Sequence, residues 1–514
     1  MTLSRLASGM RRITLLVIAL LALATAPAHA AKNLETSLQD DPFLVYAGVQ
    51  QQRDTLDRIK ALGVDRIRVT VLWRYLAPAP TSAIRPNFDA SDPSQYPISR
   101  WEHYDNLLQE AAKRGIAVNL NVTGPSPTWA NGKAPRPDVT ETFEPRPDEF
   151  GKFVGAVAKR YSGTYTIRVG FGEYAIPTVL PRASYWSIWN EPNQSGWLTP
   201  QWRSLGRGRF AERAPALYRA LLAQAWNALQ ATGHGKDTIL IGETAPGGLA
   251  AKGVKKALRP LVFLRALYCV DARFKPVRGS RAKALECPAK GFKKTNPALF
   301  KASGYGHHPY ELLLAPNAAS RDKDSVNLAA LPRLTKALDT IMRRYGSSRK
   351  LPIQLTEYGY QTAPDPIAKR FVSFDRQAEW LNQAEYLAFR NPRVRSLSQF
   401  LLYDDATAPL SLTFQSGLYS ATGMPKPALA AFALPIWVVK RRGSSVTVWG
   451  RVRPGAGSRL SAALQYRPGT KGAFKTVKTL TLSGRHSFQT TVKAGRGQIR
   501  LVFGPLASRV ATVR

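Results

Sequence analysis

Cysteine is almost absent from this chain of 514 residues; there are two. A thiolate zinc site needs more ligands close together, and neither a third cysteine nor a nearby histidine accompanies Cys269 and Cys287. Acidic residues are scarce too, 34 Asp and Glu against 73 Lys and Arg, for a formal charge of +39. A surface of that sign holds anions: acidic polysaccharide, phosphate-rich wall polymer, a membrane surface, or nucleic acid without specificity. A generally basic proteome is the plain alternative. After residue 30 no apolar run is long enough to cross a bilayer. No glycine-rich phosphate loop follows the first strand-like segment, which argues against a dinucleotide fold.

The N-terminus carries Arg5, Arg11 and Arg12, an apolar run Ile13 to Leu23, and Ala28-His29-Ala30. That order reads as a signal peptide over residues 1–30, and hence as a secreted or extracellular, wall-associated protein. A retained membrane anchor is the alternative. Loss of the three arginines leaves +36. In an oxidising compartment Cys269 and Cys287, 18 positions apart, read as a loop-closing disulfide, with two free thiols as the alternative.

From residue 42 to 435 short strand-like runs alternate with amphipathic segments. The strands are read at 44–49, 66–73, 117–123, 185–189, 238–242, 304–310, 353–357 and 396–403. Helical spacing fills the intervals, with Gly63 and Gly115 as stop signals. Eight such units predict a (β/α)8 TIM barrel over residues 31–435. The long connections 125–147 and 193–211 follow the third and fourth strands, where a barrel builds its site. From 436 to 514 the pattern changes to short alternating strands with Gly, Pro and Ser turns. This predicts an all-β, immunoglobulin-like sandwich. That segment holds 16 Lys and Arg and no Asp or Glu. It reads either as an anchor to an anionic glycan or as a cap on the barrel.

The chemistry concentrates at two strand ends. Tyr185-Trp186-Ser187-Ile188 runs into Trp189-Asn190-Glu191-Pro192, and 166 residues after Glu191 the run from Pro352 to Thr356 reaches Glu357. Two carboxyl groups delivered by buried strands are what hydrolysis of a glycosidic bond needs. A proton donor needs apolar walls or a neighbouring negative charge, and Trp186, Trp189 and Trp197 are candidates for walls. A nucleophilic carboxylate needs donors, and Arg68 is the candidate. Trp73, Trp129 and Tyr403 are candidate sugar platforms, each equally able to be core. Glu243 ends the fifth strand and competes for a catalytic role or a subsite. Asp404 and Asp405 are candidates for sugar hydroxyls or a structural cation. In Gly306-His307-His308-Pro309-Tyr310 the two histidines point to opposite faces of a strand, which argues against a shared metal.

W-N-E-P after one strand and T-E-Y-G ending a later one resemble the retaining glycoside hydrolases of clan A, families 5 and 39 in particular. The resemblance covers about residues 40 to 435. It implies Glu191 as general acid and base and Glu357 as nucleophile. It implies Asn190 as donor to the sugar 2-hydroxyl, and His308 and Tyr310 as residues lining the site. It also implies a carbohydrate substrate and no metal or other cofactor. A noncatalytic glycan-binding or wall-associated barrel and a metal-dependent deacetylase are the rival readings.

Overall fold

The computed structural model describes residues 34–170, 174–363, 370–405, 414–455 and 459–514. The leader read at residues 1–30 lies outside them. Eight strands close into a parallel barrel in sequence order. They are β1 (Glu35–Gln39), β2 (Arg66–Leu72), β3 (Ala117–Thr123), β4 (Tyr185–Ile188), β5 (Thr238–Thr244), β6 (Gly304–His307), β7 (Ile353–Tyr358) and β8 (Val394–Phe400). Among the helices around them are Val49–Ala61, Ile98–Lys113, Pro147–Arg160, Ala214–Ala231, Leu331–Arg344 and Phe374–Arg390.

Seven of the eight expected strands lie where the pattern puts them. The first does not. Residues 44–49 contain no strand; Asp41–Leu44 is a helical turn capped by the Asp40 side chain. The true β1 reads Glu-Thr-Ser-Leu-Gln and contains one aliphatic residue. Its Gln39 donates to Thr70 and accepts from Arg68, so polar side chains fill its inward positions. An apolar-run criterion passes over such a strand. The buried Leu44 and Val45 mimic one because a helical turn also packs them against the barrel.

Cys269 and Cys287 are joined as a disulfide with Cα atoms 5.9 Å apart. The bond closes the excursion between β5 and β6. The loop read at 193–211 contains a small hairpin, Trp202–Ser204 with Phe210–Glu212, and a second hairpin pairs Thr166–Val169 with Ile176–Val179.

The C-terminal segment is all-β. One antiparallel sheet contains Ile436–Arg442, Ser445–Arg451 and Ser487–Lys493. The other contains Leu460–Pro468, Lys475–Leu482, Gly497–Phe503 and two short strands. It docks on the end of the barrel where the strands begin. Arg451 donates to Leu34 O and Thr36 Oγ1 of β1, and Arg453 donates to the same hydroxyl. Arg453 Nη2 lies 2.6 Å from Glu385 Oε2, both side chains at most 5 % exposed. Gly63 adopts φ +70° beneath this contact, and a Cβ there would meet Arg453 O at 2.1 Å. Glycine is therefore required twice, for its backbone angle and for the close approach.

Removing one member of a buried ion pair strands the other charge, at a cost of about 3–5 kcal/mol. Glu385→Ala should therefore lower stability by about that amount, read as a lower denaturant midpoint. An unchanged midpoint would mean that the sandwich contact contributes nothing to barrel stability.

Candidate active site

The site is built from residues in or just after five strands. β2 supplies Arg68, whose guanidinium is 1 % exposed on the barrel axis. It donates to Glu357 Oε1 at 2.7 Å, Asn190 Oδ1 at 2.8 Å and Glu243 Oε2 at 3.3 Å, and also to Gln39. β7 carries Glu357, and Tyr310 Oη donates to its other oxygen at 3.1 Å. Glu191 follows β4 with φ +37°, and its N–H bonds to Glu243 O at 2.9 Å. Trp189 and Glu243 also adopt positive φ, at +67° and +46°. Such backbone is costly away from glycine and persists where surrounding contacts impose it. Here three instances flank one pocket.

His308, just past β6, bridges the acids. Its Nδ1 lies 2.9 Å from Glu191 Oε1 and 3.6 Å from Glu357 Oε2, and its Nε2 lies 3.0 Å from Glu243 Oε2. Burial opposes a charge on this ring, but the three carboxylates outweigh it and raise its pKa to about 9. Imidazolium donates from both nitrogens. One oxygen of Glu191, one of Glu357 and a His308 ring nitrogen lie within 4.8 Å of one another, and no other such trio occurs among the described residues. With its two nitrogens turned to Glu191 and Glu243, the His308 ring is fixed in orientation between them.

Glu243 is neither a subsite residue nor a rival catalyst. It is fully buried and accepts from Ser187 at 2.7 Å and Thr356 at 2.6 Å as well as from Arg68 and His308. Burial pushes its pKa up, but Arg68, His308 and Thr356 together bring it down to about 2. Gly306 makes room for it, since a Cβ there would stand 2.3 Å from Glu243 Oε1. Its fixed negative charge holds two cations in place. Burial also pushes Glu357 above the ordinary glutamate range, with Glu191 and Glu243 acting in the same direction and His308 and Arg68 against it.

The cavity above the acids measures about 510 Å³ and is lined by Asn190, Glu191, Tyr310 and Glu357, among others. The Asn190 carbonyl faces Arg68, so its NH₂ is the group left to offer a ligand. The expected aromatic platforms require correction. Trp73 is fully buried, because β2 gives way to the helical turn Trp73–Leu76 and swings the ring between Phe150 and Phe153. Trp129 packs on Trp73 and Phe88 and donates to Pro78 O. Tyr403 stacks on Tyr419 and Phe43, outside the cavity lining. Trp186 and Trp189 are core as well, and Trp197 alone of the three proposed walls reaches the cavity. The aromatics present there are Tyr46, Trp197, Tyr310, Phe400 and Phe414. Phe400 ends β8, a position that strand counting could have found; Tyr46 was hidden by the misplaced first strand. Asp404 is paired with Lys426 at 2.9 Å, and Asp405 accepts from Phe414 N, so both organise the loop base.

Fold and site together define a (β/α)8 barrel with a two-carboxylate pocket at its strand ends. No family model matches the chain, and no curated protein matches it either. Among solved structures it is similar to a family 39 glycoside hydrolase from Bacteroides cellulosilyticus, at 14 % identity over 92 % of this chain and 82 % of that one, TM-score 0.48. A GH5_18 protein from Streptomyces cattleya in complex with GlcNAc is similar at 16 % identity over 78 % and 79 %, TM-score 0.45. So is a β-glucosidase from Thermotoga maritima, at 12 % identity over 76 % and 92 %, TM-score 0.45. Likenesses this distant say nothing about the reaction.

His308 has its pKa raised on folding from 6.5 to about 9. Its stabilisation is therefore complete below pH 6.5 and is lost as pH rises through 9, an effect of order 3 kcal/mol. Glu243 runs the other way: its contribution is complete above pH 4.5 and is lost as pH falls toward 2. Denaturation at pH 6.5 and 9.5 should show wild type losing more stability than His308→Gln. Equal losses would mean that the ring is neutral in the folded protein.

Proposed function

We propose that the protein is a retaining glycoside hydrolase acting on an oligosaccharide or polysaccharide. The observation that carries this reading is the approach of Glu191 and Glu357 oxygens to within 4.8 Å across one cavity. Retention uses carboxyl groups about 5–5.5 Å apart, whereas inversion needs about 6.5–9.5 Å to admit a water. Glu357, oriented by Arg68 and Tyr310, attacks the anomeric carbon. Glu191 gives its proton to the departing glycosidic oxygen as the C–O bond breaks. Water then enters, Glu191 takes one of its protons, and the water oxygen displaces Glu357 from the anomeric carbon. The Asn190 NH₂ would serve the 2-hydroxyl, a contact that strengthens in the transition state. His308 holds Glu191 against Glu243 as a positioning residue.

The leader sequence and the disulfide support export. The acid-free sandwich, with its 16 Lys and Arg, supports retention on an anionic or wall-associated glycan.

Glu191→Ala should depress turnover of substrates with poor leaving groups by about 10²–10⁴, the usual worth of general acid catalysis. Aryl glycosides with activated leaving groups should suffer less, and azide should restore turnover as a glycosyl azide. Equal losses on both kinds of substrate without azide rescue would remove Glu191 as proton donor. Activity should persist in a chelator; its abolition there would favour a metal-dependent reaction instead.

A further inference from the structure

The surface and the cavity of this protein have opposite charge. Lys and Arg outnumber Asp and Glu 73 to 34 over the chain, yet no described Lys or Arg lines the cavity. Its acidic lining is four carboxyl groups: Asp41, Glu191, Glu311 and Glu357. The cations nearest the acids are spent. Arg68 is committed to Glu357, Glu243, Asn190 and Gln39, and His308 to Glu191 and Glu243. An adjoining cavity shares the wall Tyr310, Glu311 and Leu312, and its single basic lining residue, Lys255, is paired with Asp138 at 2.8 Å.

Asp41 and Glu311 have no place in the proposed chemistry. Asp41 accepts from Gln39 Nε2 and Thr70 N, and Glu311 accepts from Leu312 N and Asn327 Nδ2. These donors are neutral, and among the described residues no Lys or Arg forms an ion pair with either carboxylate. A sugar carboxylate entering this space would meet four acids and, among the described residues, no Lys or Arg in the lining. Between groups partly shielded from bulk water such repulsion is stronger than in open solvent. Resting on the glycosidase reading, we infer that the reacting sugar carries no negative charge. The cavity selects neutral or amine-bearing rings and rejects uronates, even though the outer surface attracts acidic polymers. Surface attraction and substrate choice are then separate properties: an acidic polymer can hold the protein without being cut by it.

The test uses the full chain and matched aryl monosaccharide pairs that differ only in a C-6 hydroxymethyl or carboxylate: glucoside with glucuronide, galactoside with galacturonide. The neutral member of the preferred pair should show kcat/KM at least 100-fold above its uronide. The double variant Asp41→Asn, Glu311→Gln should shrink that ratio at least tenfold, chiefly by improving the uronide. Uronide hydrolysis at or above the neutral rate would overturn the charge claim while leaving the glycosidase reading intact. So would a ratio unmoved by the double variant. Failure to hydrolyse any member of any pair, or any neutral oligosaccharide or polysaccharide, would overturn the catalytic reading, and the charge claim with it.

Discussion

Arg68 is the constraint around which the site is built. A guanidinium 1 % exposed on a barrel axis must have its charge matched and its donors filled, or it costs more than the barrel can tolerate. Glu357 and Glu243 match the charge, and Asn190 and Gln39 take further donors. Those partners come from β1, β5, β7 and the segment after β4, so one side chain sets the relative positions of four strand ends. The charges nearly balance. Glu191, Glu243 and Glu357 face Arg68 and a protonated His308, and one proton on the Glu191–Glu357 pair makes the cluster neutral. The proposed mechanism, with one carboxyl as donor and the other as nucleophile, requires that same protonation state.

The scaffold separates its tasks by end. Carboxylates gather where the barrel strands finish, and the basic sandwich docks where they start, through Arg451 and Arg453 on β1 and Glu385. The sandwich is therefore part of the barrel's structure as well as a carrier of surface charge. Because the buried arginines that dock it are held by a carboxylate, a hydroxyl and backbone carbonyls, their charges are not available to an outside polymer.

Much of this was legible in the residues. β4 runs on to Glu191 three residues past its end and β7 carries Glu357 next to its last residue, so both acids could be found by position, and Arg68 could be found as a charge inside a strand. The aromatic platforms were not legible. Whether Trp73 faces sugar or core depends on the chain coiling into a helical turn after Leu72, and period-two reading does not foresee that. β1 was missed because the barrel's interior is polar at that strand, which removes the hydrophobic signal on which strand recognition depends. Glu243 was legible as a candidate, but its role was not. Its charge is matched by Arg68 and His308 and its place is fixed by Gly306 and Thr356, contacts between distant segments that no local pattern encodes.

The central claim is that Glu357 becomes bonded to the anomeric carbon of a sugar. Trapping the intermediate tests this most directly: the protein is incubated with 2-deoxy-2-fluoro glycosyl fluorides of several configurations and followed by intact-mass and peptide mass spectrometry. The account predicts one fluoroglycosyl adduct per chain, located on Glu357 and absent from Glu357→Gln. An adduct on another residue, or turnover of natural glycosides with inverted products and no adduct, would contradict it.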